Sequence, residues 1–500
     1  MIKNYVNLAK CLKSAKGATS KDSSKANSSL NELYDLFMQE KGLYLKLGQF
    51  LNQYKSDVNY SEKVIIKSDD IDINFKSIIA KVLEENNLET INDCYIMGSI
   101  GLVTQVKDSK GQLLALKIKY PNIDKNIDNQ FKTLKNLLKV TPIPISKSNF
   151  DKDYFLANLY HNITNELNYK REYSNSLKIK EIAENNNFLT PAGYQEPTSN
   201  SVLISNWVDG INLGKNIEFD KASSEKIATS ILSFFHDSLF NEGFIQVDNQ
   251  EDNYIYSKTS QRVYMVDLGN CMHVTKEQRT AILRIIHSVQ NNIDDNFLEL
   301  LSKVGFDKKK LEHIEEFLAP LMYAILAPYV SNIKYDLKNY NIGSIVDNIL
   351  GDKKWWFRLS GSPEFFSLMR SFSLVLKTLK SLNIQIFFRG NLKNIVSKNN
   401  QADALSLQVG KRDLAKYFQS KADNLNIRII RNGDEKVNLT LPSTVLFELD
   451  SFLSPDTLKK IEKSGGDIKD VIRKAFQNQL MSGTLLNLKN GNEQFIITLN

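Results

Sequence analysis

Two aspartates and an asparagine interrupt apolar runs in the segment 243–270, GFIQVDNQEDNYIYSKTSQRVYMVDLGN. Asp248 is followed at a short distance by Asn253, while Asp267 follows the strand-like run Val-Tyr-Met-Val and precedes Leu-Gly. A buried strand does not accept a carboxylate without a partner. Carboxylate and amide oxygens are the ligands that Mg²⁺ prefers, and protein-bound Mg²⁺ commonly binds phosphate as well. The spacing therefore predicts a magnesium and phosphate site.

Two features upstream have the chemistry to hold the phosphate. The turn that runs from Gly98 through Ser99 to Gly101 is made of small residues, which let backbone N–H groups approach phosphate oxygens. Lys117 lies in the apolar strand-like run Ala-Leu-Lys-Ile. A cation at such a position needs a carboxylate and a phosphate if it is to stay charged.

A helical pattern over 150–186 can supply that carboxylate. It carries Glu166 and Glu172, which are six residues apart and therefore point about a third of a turn away from each other on one helix. We expect the two glutamates to serve different cations.

The elements that must position these residues follow one another in a definite order. A hairpin over 94–119 contains the small-residue turn and then the lysine strand, and the helix over 150–186 comes next. A linking strand over 202–208 and an apolar helix over 221–242, ended by Gly243, lead into the two aspartates. This is the order in which the active site of a protein-kinase-like fold is arranged along a chain.

With these motifs the chain resembles the UbiB-like atypical kinases, the AarF or coenzyme-Q kinase family, over residues 30–390. The matching segments, in chain order, are Lys46-Leu47-Gly48-Gln49 for the family's KxGQ, Gly98–Val103 for its Ala-Ser-Ile-Gly-Gln-Val loop, Ala115–Pro121 for its AVKVQxP strand, Glu166–Tyr169 with Arg171-Glu172 for its ELDYxRE helix, Val202–Gly210 for its hinge and Pro363–Leu382 for its late helix. Each match alone is weak, but the ordered set is specific.

The resemblance implies an α+β, bilobal protein-kinase-like fold with an N-terminal KxGQ helical extension, to which this chain appends a small C-terminal α+β module. It implies binding of ATP with Mg²⁺, and ATPase or small-molecule kinase activity instead of protein phosphorylation. The usual setting of the family is isoprenoid-quinone lipid metabolism at a membrane. A lipid or other small molecule is therefore the expected acceptor.

The resemblance also assigns roles to individual residues. Lys117, Glu172 and Asp248 are the expected catalytic residues: Lys117 pairs with Glu172 and orients the phosphates, and Asp248 is the base or orients the acceptor. The remaining roles are nucleotide binding by Gly98, Ser99, Gly101, Lys117, Trp207 and Val208, metal binding by Asn253 and Asp267, and regulation by the KxGQ residues Lys46 and Gln49 with Lys46 paired to Glu166. We expect Gly269 to let the backbone turn after the metal ligand.

The chain departs from the family at the acceptor side of the site. Where the family has His-Ala-Asp-Pro-His-Pro-Gly-Asn, residues 246–253 read Gln-Val-Asp-Asn-Gln-Glu-Asp-Asn, so Asp248 and Asn253 remain while both histidines and both prolines are absent. The other departures are Gly98 for alanine, Leu102 for glutamine, Asn168 for aspartate and Leu268 for phenylalanine. The sequence supports nucleotide and metal binding more strongly than turnover.

Composition excludes several other classes of protein. With 500 residues, 42% hydrophobic and 24% charged, the chain is typical of globular proteins. Its net charge of +7 is spread out without an arginine-rich block, so no nucleic-acid partner is expected. The three cysteines are far apart, which disfavours a zinc site or disulfides and fits a reducing compartment. The apolar run over 317–330 is too short to span a membrane.

The patterns predict six segments. These are a basic N-terminal tail and linker (1–29), the KxGQ helical extension (30–93), a kinase-like N-lobe (94–210), a helical C-lobe (211–390), a linker (391–424) and an α+β accessory module (425–500) with hairpins at Asn432-Gly433 and Asn490-Gly491. For the basic tail a solvated terminus is favoured over a lipid-binding helix or a targeting peptide. We expect a cytoplasmic protein and leave a peripheral membrane contact open.

Three functions remain open at this point. The first is an atypical kinase or ATPase, and the second is a pseudokinase whose nucleotide pocket is a switch and whose 425–500 module recruits a protein partner. The third, an aminoglycoside-kinase-like phosphotransferase, shares the metal residues but does not explain Lys46 and Gln49. His236, on an apolar helix, is expected to be packed and not catalytic, and Trp355-Trp356 to be a packing pair more than a membrane anchor.

Overall fold

The computed structural model describes residues 64–98, 100–140, 160, 163–184, 188–189, 194–197, 199–215, 217–411, 422–466, 468, 471, 475 and 482–500. The chain divides into two compact units. The first contains the described residues up to Ser238 together with 244–273 and 367–384. The second contains 239–243, 274–366 and the described residues from 385 to 500.

The first unit begins with a five-stranded antiparallel sheet in the order β1-β2-β3-β4-β6. In β4, Leu114, Leu116 and Ile118 are buried on one face, so Lys117 lies on the other, as strand alternation requires. The sheet strands are β1 (Val64–Lys67), β2 (Leu88–Met97), β3 (Gly101–Asp108), β4 (Leu113–Lys119) and β6 (Val202–Asn206).

Three helices accompany this sheet, namely α1 (Ile73–Glu85), α2 (Ile123–Val140) and α3 (Tyr169–Glu184). Helix α1 starts at Asp72, whose side chain accepts a hydrogen bond from the Asn74 N–H. Its buried face, Phe75, Ile79 and Val82, belongs to the same apolar core as the buried face of β4. Burial of this core is the main term that stabilises the lobe.

The remainder of the first unit carries the loops around the two aspartates. Its short strands are β5 (Phe188–Leu189), β7 (Ile211–Asn212), β8 (Phe244–Gln246), β9 (Tyr254–Ser257), β10 (Arg262–Met265) and β11 (Cys271–His273). They form a four-stranded sheet in the order β5-β10-β9-β7 and a pair of β11 with β8. Helix α4 (Lys221–His236) begins at Asp220, which accepts a hydrogen bond from the Ser223 N–H, and continues as a π-helical stretch, Asp237–Glu242.

The second unit is mainly helical up to residue 406. Its helices are α5 (Lys276–Asn291), α6 (Phe297–Val304), α7 (Lys308–Leu311), α8 (Glu315–Ile325), α9 (Ala327–Val330), α10 (Ile342–Leu350), α11 (Lys354–Ser360), α13 (Phe388–Ile395) and α14 (Lys398–Ser406), with a two-stranded pair of β12 (Tyr335–Asp336) and β13 (Gln385–Ile386). Helix α12 (Pro363–Ser381) contributes residues from 367 onward to the first unit.

A four-stranded antiparallel sheet in the order β15-β14-β17-β16 ends the chain. Its elements are β14 (Asn424–Arg431), β15 (Asp434–Pro442), α15 (Leu449–Phe452), α16 (Pro455–Lys463), β16 (Gly483–Asn490) and β17 (Glu493–Leu499). Both predicted Asn-Gly hairpins are present. Asn432 and Gly433 have φ of 54° and 85°, the left-handed pair that a type I′ hairpin turn requires.

The structure departs from the predicted segments in three places. The expected boundary at residue 94 lies inside β2, so 64–93 contribute to the sheet instead of forming a separate extension. The expected linker 391–424 contains most of α13 and all of α14. The helix expected over 150–186 is interrupted: residues 163–166 are helical, the chain turns at Leu167, and α3 begins afterwards.

Other expectations concern single residues. His236 is fully buried and packs beside Phe235, as expected for a packed histidine. Trp356 is 39% exposed and stacks on His313, with ring centroids 3.8 Å apart. The apolar run over 317–330 folds into α8 and α9. Among the described residues, no helix is long and apolar enough to cross a membrane.

Candidate active site

Lys117 is at the centre of the candidate site. Its Nζ atom lies 3.0 Å from Oε2 and 3.2 Å from Oε1 of Glu172, and 3.6 Å from Oδ1 of Asp267. The ion pair with Glu172 that the resemblance implied is therefore present. Burial disfavours the charged ammonium, but the carboxylates of Asp267 and Glu172 outweigh this effect, so the pKa of Lys117 lies well above its usual value.

Glu172 has the opposite balance. Its side chain is only 2% exposed, and burial is the largest effect on it. Burial and the nearby Asp267 carboxylate favour the neutral form more than Lys117 favours the ion, and the pKa of Glu172 is raised to about 7. Two carboxylates thus share one buried ammonium, an arrangement that a further cation would relieve.

The local sequence explains how Glu172 reaches Lys117. Asn168 begins helix α3: its side-chain oxygen accepts a hydrogen bond from the Arg171 N–H, and its carbonyl accepts one from the Glu172 N–H. Asparagine therefore caps the helix where the family has aspartate. One turn later, Asn175 donates a hydrogen bond of 2.7 Å to the Leu268 carbonyl, which ties α3 to the segment that carries Asp267.

The small-residue turn between β2 and β3 is closed by a hydrogen bond of 2.9 Å from the Gly98 N–H to the Gly101 carbonyl. Tyr120 holds it from the neighbouring strand end, because its hydroxyl donates to the Gly98 carbonyl and its N–H donates to the Ile100 carbonyl. Ser99, an expected nucleotide contact, lies outside the described residues. The turn has the backbone closeness expected of a phosphate loop.

Gly101 is required for a reason that sequence did not show. A Cβ atom at this position would lie 2.2 Å from the Ile118 carbonyl oxygen on β4. Any side chain would push β3 away from the strand that carries Lys117. The glycine is thus needed for strand packing, whatever its use in binding phosphate.

The hinge residues follow β6. The Trp207 N–H donates a hydrogen bond of 3.1 Å to the Leu113 carbonyl at the start of β4, and the side chains of Trp207 and Val208 are half-buried. The predicted strand over 202–208 ends at Asn206, so both residues lie just beyond it. Their use in binding an adenine ring remains a prediction.

The two metal-ligand candidates are brought together by the hairpin of β9 and β10. In this hairpin Tyr254 pairs with Met265, and the next hydrogen bond, 2.8 Å long, joins the Val266 N–H to the Asn253 carbonyl. Asn253 donates through its amide nitrogen to the Asp248 carbonyl, 2.9 Å away. The amide oxygen of Asn253 is therefore the atom that can serve a metal ion.

The backbone of Asp267, the predicted metal ligand, has an unusual conformation. Its φ angle is +66°, in the left-handed region that non-glycine residues rarely adopt, and its side chain is 50% exposed. The positive φ is at Asp267, while the chain bends at Gly269 without one, so the expectation that Gly269 eases the turn stays a prediction. A Cβ at Gly269 would lie 3.4 Å from Glu166 Cα and 3.6 Å from Glu172 Oε2, which are ordinary van der Waals distances.

The donor set fits Mg²⁺. Asp267 and Asn253 offer a carboxylate and an amide oxygen from neighbouring positions, and Mg²⁺ commonly takes one or two protein oxygens and completes its shell with water and phosphate. Among the described residues, no group of three or more His, Cys, Asp or Glu forms a metal cluster. Metal binding by Asp267 and Asn253 therefore remains a prediction.

Gln246 makes hydrogen bonds to the backbones of both aspartates, which the sequence did not predict. It is 2% exposed, its amide nitrogen donates a hydrogen bond of 2.5 Å to the Asp267 carbonyl, and its amide oxygen accepts from the Asp248 N–H at 3.3 Å. One side chain therefore joins the backbones of both aspartates. Glutamine carries a donor and an acceptor, as neutral histidine does, so it can replace the family's histidine in this bridge.

Helix α12 contacts the loop that carries Asp248. Arg370 Nη2 lies 2.7 Å from Asp248 Oδ1. Ser371 donates to the Gln246 carbonyl and accepts from the Asn249 amide, both at 2.7 Å. Sequence reasoning recognised this helix but none of these contacts.

Not every predicted site residue can be placed. Lys46 and Gln49 lie outside the described residues, so the regulatory KxGQ prediction stays a prediction. Glu166 is half-buried, with its backbone next to Gly269. The structure brings together Lys117, Glu172, Asp267 and, around Asp267 and Asp248, the side chains of Gln246 and Asn253.

Comparison with known proteins agrees with this geometry. The family description "ABC1 atypical kinase-like domain" matches residues 69–300. Residues 69–300, here called the UbiB-like domain, are therefore similar to the atypical kinases that the sequence motifs indicated. The fold of that domain is the α+β, bilobal kinase-like fold predicted from the sequence, with the strand lobe, the Lys–Glu pair and the Asp-Leu-Gly segment in the expected order.

Named relatives of the UbiB-like domain are distant. The chain is 24% identical over 293 residues to "Atypical kinase COQ8B, mitochondrial" of Danio rerio, covering 55% of this chain and 47% of that protein. It is 26% identical over 343 residues to "Probable serine/threonine-protein kinase abkA" of Dictyostelium discoideum, covering 62% and 58%. The chain thus spans about half the length of the curated relatives it matches.

A similar solved structure is the complex of Rv3197 with erythromycin from Mycobacterium tuberculosis. It shares 16% sequence identity, with a TM-score of 0.49, and the match covers 74% of this chain and 96% of that one.

Proposed function

We propose that the UbiB-like domain binds ATP with Mg²⁺ and transfers the terminal phosphoryl group to water or to a small-molecule acceptor. The observation that carries the proposal is the cluster around Lys117, in which one buried ammonium lies 3.0 Å from Glu172 and 3.6 Å from Asp267. In a kinase-type site such a lysine binds phosphate oxygens while its glutamate partner keeps it in place.

The residues would divide the work as follows. Lys117, fixed by Glu172, offers its remaining hydrogen-bonding capacity to the phosphates. The turn between Gly98 and Gly101 would approach the same phosphates with backbone N–H groups other than that of Gly98, which is bonded to the Gly101 carbonyl. Asp248, on a loop held by Gln246, faces the acceptor and accepts its proton or orients it.

Asp267 and Asn253 would hold the metal. Bound Mg²⁺ neutralises the charge that develops on the phosphates during transfer. The chain's own contribution is to fix both oxygen donors: Asp267 by its strained backbone and by Gln246, and Asn253 by its hydrogen bond to the Asp248 carbonyl.

The acceptor follows from the resemblance and from the relatives' names. Relatives include mitochondrial atypical kinases named COQ8 and COQ8B and a chloroplastic kinase of Arabidopsis thaliana. Together with the family resemblance these names support an acceptor from isoprenoid-quinone lipid metabolism, and with it a peripheral contact between the protein and a membrane.

The proposal is tested by Mg²⁺-dependent nucleotide binding and by ATP hydrolysis. For the wild type with ATP at 100 times its Kd, mass action stabilises the fold by about 2.7 kcal/mol, which raises Tm by roughly 3–5 °C for a protein of this size. Asp267→Asn should abolish the Mg²⁺-dependent part of this shift and the ATPase rate. The control is Asp352→Asn, an exposed carboxylate of the second unit, which should behave as wild type.

A second function, a nucleotide-binding switch without turnover, is favoured by one observation. Asp248, the proposed base, is already engaged by Arg370 at 2.7 Å, and its loop lacks the family's histidines and prolines. In this case the module over 425–500 would recruit a protein partner. Nucleotide binding without turnover in the wild type would favour the switch, whereas absence of Mg²⁺-dependent stabilisation would exclude both functions.

A further inference from the structure

Helix α12 follows the Asp248 loop along one face. Besides Arg370 and Ser371, Thr378 contacts the Asn249 carbonyl at 3.5 Å. Ser371 and Thr378 are two turns apart, and Arg370 lies within about 100° of both around the helix, so the three side chains form one polar stripe on α12. The loop over 246–253 contains no proline, and its conformation therefore depends on such external hydrogen bonds.

Within this stripe Arg370 is the residue that contacts a side chain expected to do chemistry. Its Nη2 atom lies 2.7 Å from Asp248 Oδ1, with the two side chains 25% and 10% exposed. The distance and the low exposure describe a charge-assisted hydrogen bond that is largely shielded from water.

The Nε atom of Arg370 is also buried, and it has no hydrogen-bond partner among the residues that the structure describes. Leaving such a donor unsatisfied costs free energy, which a purely structural arginine would avoid by using its paired donors on one carboxylate. The geometry instead directs a single donor to one oxygen of Asp248 and fixes the direction of that carboxylate.

We propose that Arg370 is a positioning residue for Asp248, holding its carboxylate in the orientation that the phosphoryl acceptor requires. This inference rests on the proposed function and deepens it. In phosphoryl transfer the protein contributes mainly position and fixed charge, and a misplacement of about 1 Å at a reacting group costs on the order of 100-fold in rate. Arg370 would control that position from helix α12, through its contact with Asp248.

The experiment compares Arg370→Gln, Arg370→Lys, Asp248→Asn and the double variant Asp248→Asn/Arg370→Gln in the full chain. Three quantities are measured for each: Tm, the Mg²⁺-dependent thermal shift with ATP, and kcat and KM for ATP hydrolysis. Lys380→Gln is the control, because Lys380 is exposed on the same helix.

For a positioning residue, Arg370→Gln should lower kcat by roughly 10- to 100-fold while KM and the nucleotide thermal shift stay within about 3-fold of wild type. Arg370→Lys, which keeps a positive charge, should recover part of the rate. In the Asp248→Asn background, Arg370→Gln should have no further effect on kcat, because both changes remove one interaction. The double variant also restores charge balance, so it keeps the comparison valid if Arg370→Gln alone folds poorly.

Three results would overturn the inference. The first is a wild-type kcat in Arg370→Gln, and the second is an equal loss in the wild-type and Asp248→Asn backgrounds, which would mean that the two residues act independently. The third is a fall in kcat that accompanies a loss of Tm and is reversed when the variant protein is stabilised. That result would mean that Arg370 supports the fold and does not position Asp248. Wild type that binds nucleotide without turnover overturns the positioning inference alone, whereas wild type without Mg²⁺-dependent binding overturns the proposed function itself.

Discussion

The buried charges and hydrogen bonds around Lys117 and Asp248 were only partly predictable from the sequence. A cation in an apolar strand needs a carboxylate, so a partner for Lys117 could be expected from the sequence, and the family resemblance selected Glu172 over Glu166. The contacts of Gln246 and Arg370 were not predicted from the sequence, for different reasons. Glutamine in place of histidine was a readable signal, since both carry a donor and an acceptor, whereas Arg370 lies 122 positions from Asp248 and only folding brings them together.

The first prediction at this scale concerns Glu172 and pH. Its folded-state pKa is raised to about 7 from a reference of 4.5, mainly by burial. The folded state therefore binds this proton more tightly than the unfolded state, and the group's contribution to stability is fully present below pH 4.5 and is lost as pH rises to about 7. Above that range Glu172 is an ionised, buried carboxylate, and it shares the ammonium group of Lys117 with Asp267.

Chemical denaturation in EDTA without nucleotide measures this effect. The free energy of unfolding of wild type relative to Glu172→Gln should fall by up to about 2 kcal/mol between pH 5 and pH 7.5, at 1.36 kcal/mol per pKa unit. Glu181→Gln, at an exposed position of the same helix, is the control and should show no such slope. A wild-type minus variant difference that is constant with pH would contradict the raised pKa.

At the scale of elements, periodicity was a sound guide to strands and a weaker guide to where helices break. The hairpin of β2, β3 and β4 and both Asn-Gly hairpins are present as predicted. The helix expected over 150–186 is interrupted because Asn168 caps a new helix. The spacing of apolar residues does not show whether an asparagine caps a helix or lies inside one. The short β9–β10 pairing, which places Asn253 opposite Val266 and so next to Asp267, was likewise not predicted, since register depends on contacts and not on composition.

Gly101 gives the prediction that belongs to this scale. A Cβ atom there would meet the Ile118 carbonyl oxygen at 2.2 Å, so Gly101→Ala must separate β3 from β4. We expect the loss of about 3 kcal/mol of stability that is typical of overpacking, together with weaker nucleotide binding because Lys117 lies on β4. Denaturant unfolding and the Mg²⁺-dependent thermal shift measure the two effects.

Gly483→Ala is the matched control, since a Cβ at residue 483 meets no atom within 4 Å. It should change stability by less than about 0.5 kcal/mol. If Gly101→Ala is equally mild, the close approach of β3 and β4 is not required for the lobe, and the glycine serves the phosphate loop alone.

At the scale of the whole molecule, the site belongs to one of two compact units although its residues are scattered along the chain. Lys117, Asp248 and Arg370 all lie in the first unit, and the last of these returns to it after a long segment that belongs to the second. Linear patterns predicted the order of segments, including the late helix, but not that this helix returns to the first unit, because apolar spacing does not say which loop a helix contacts.

This division predicts where ligand binding is felt. A ligand suppresses only those openings of the chain that disrupt its site, so stabilisation should be confined to the elements that form it. We expect Mg²⁺ with ATP to slow amide hydrogen exchange in β3, β4 and the segments 246–253 and 267–269. Exchange in the strands of the C-terminal sheet, β14 to β17, should be unchanged.

Hydrogen exchange with mass spectrometry, with and without Mg²⁺ and ATP, makes this measurement on the full chain, and Asp267→Asn supplies the background in which all protection should vanish. Equal protection of β14 to β17 would show that binding at the first unit is energetically coupled to the C-terminal sheet. That outcome would contradict the independence expected here, because a local contact to nucleotide cannot protect strands of another unit unless their opening also disrupts the site.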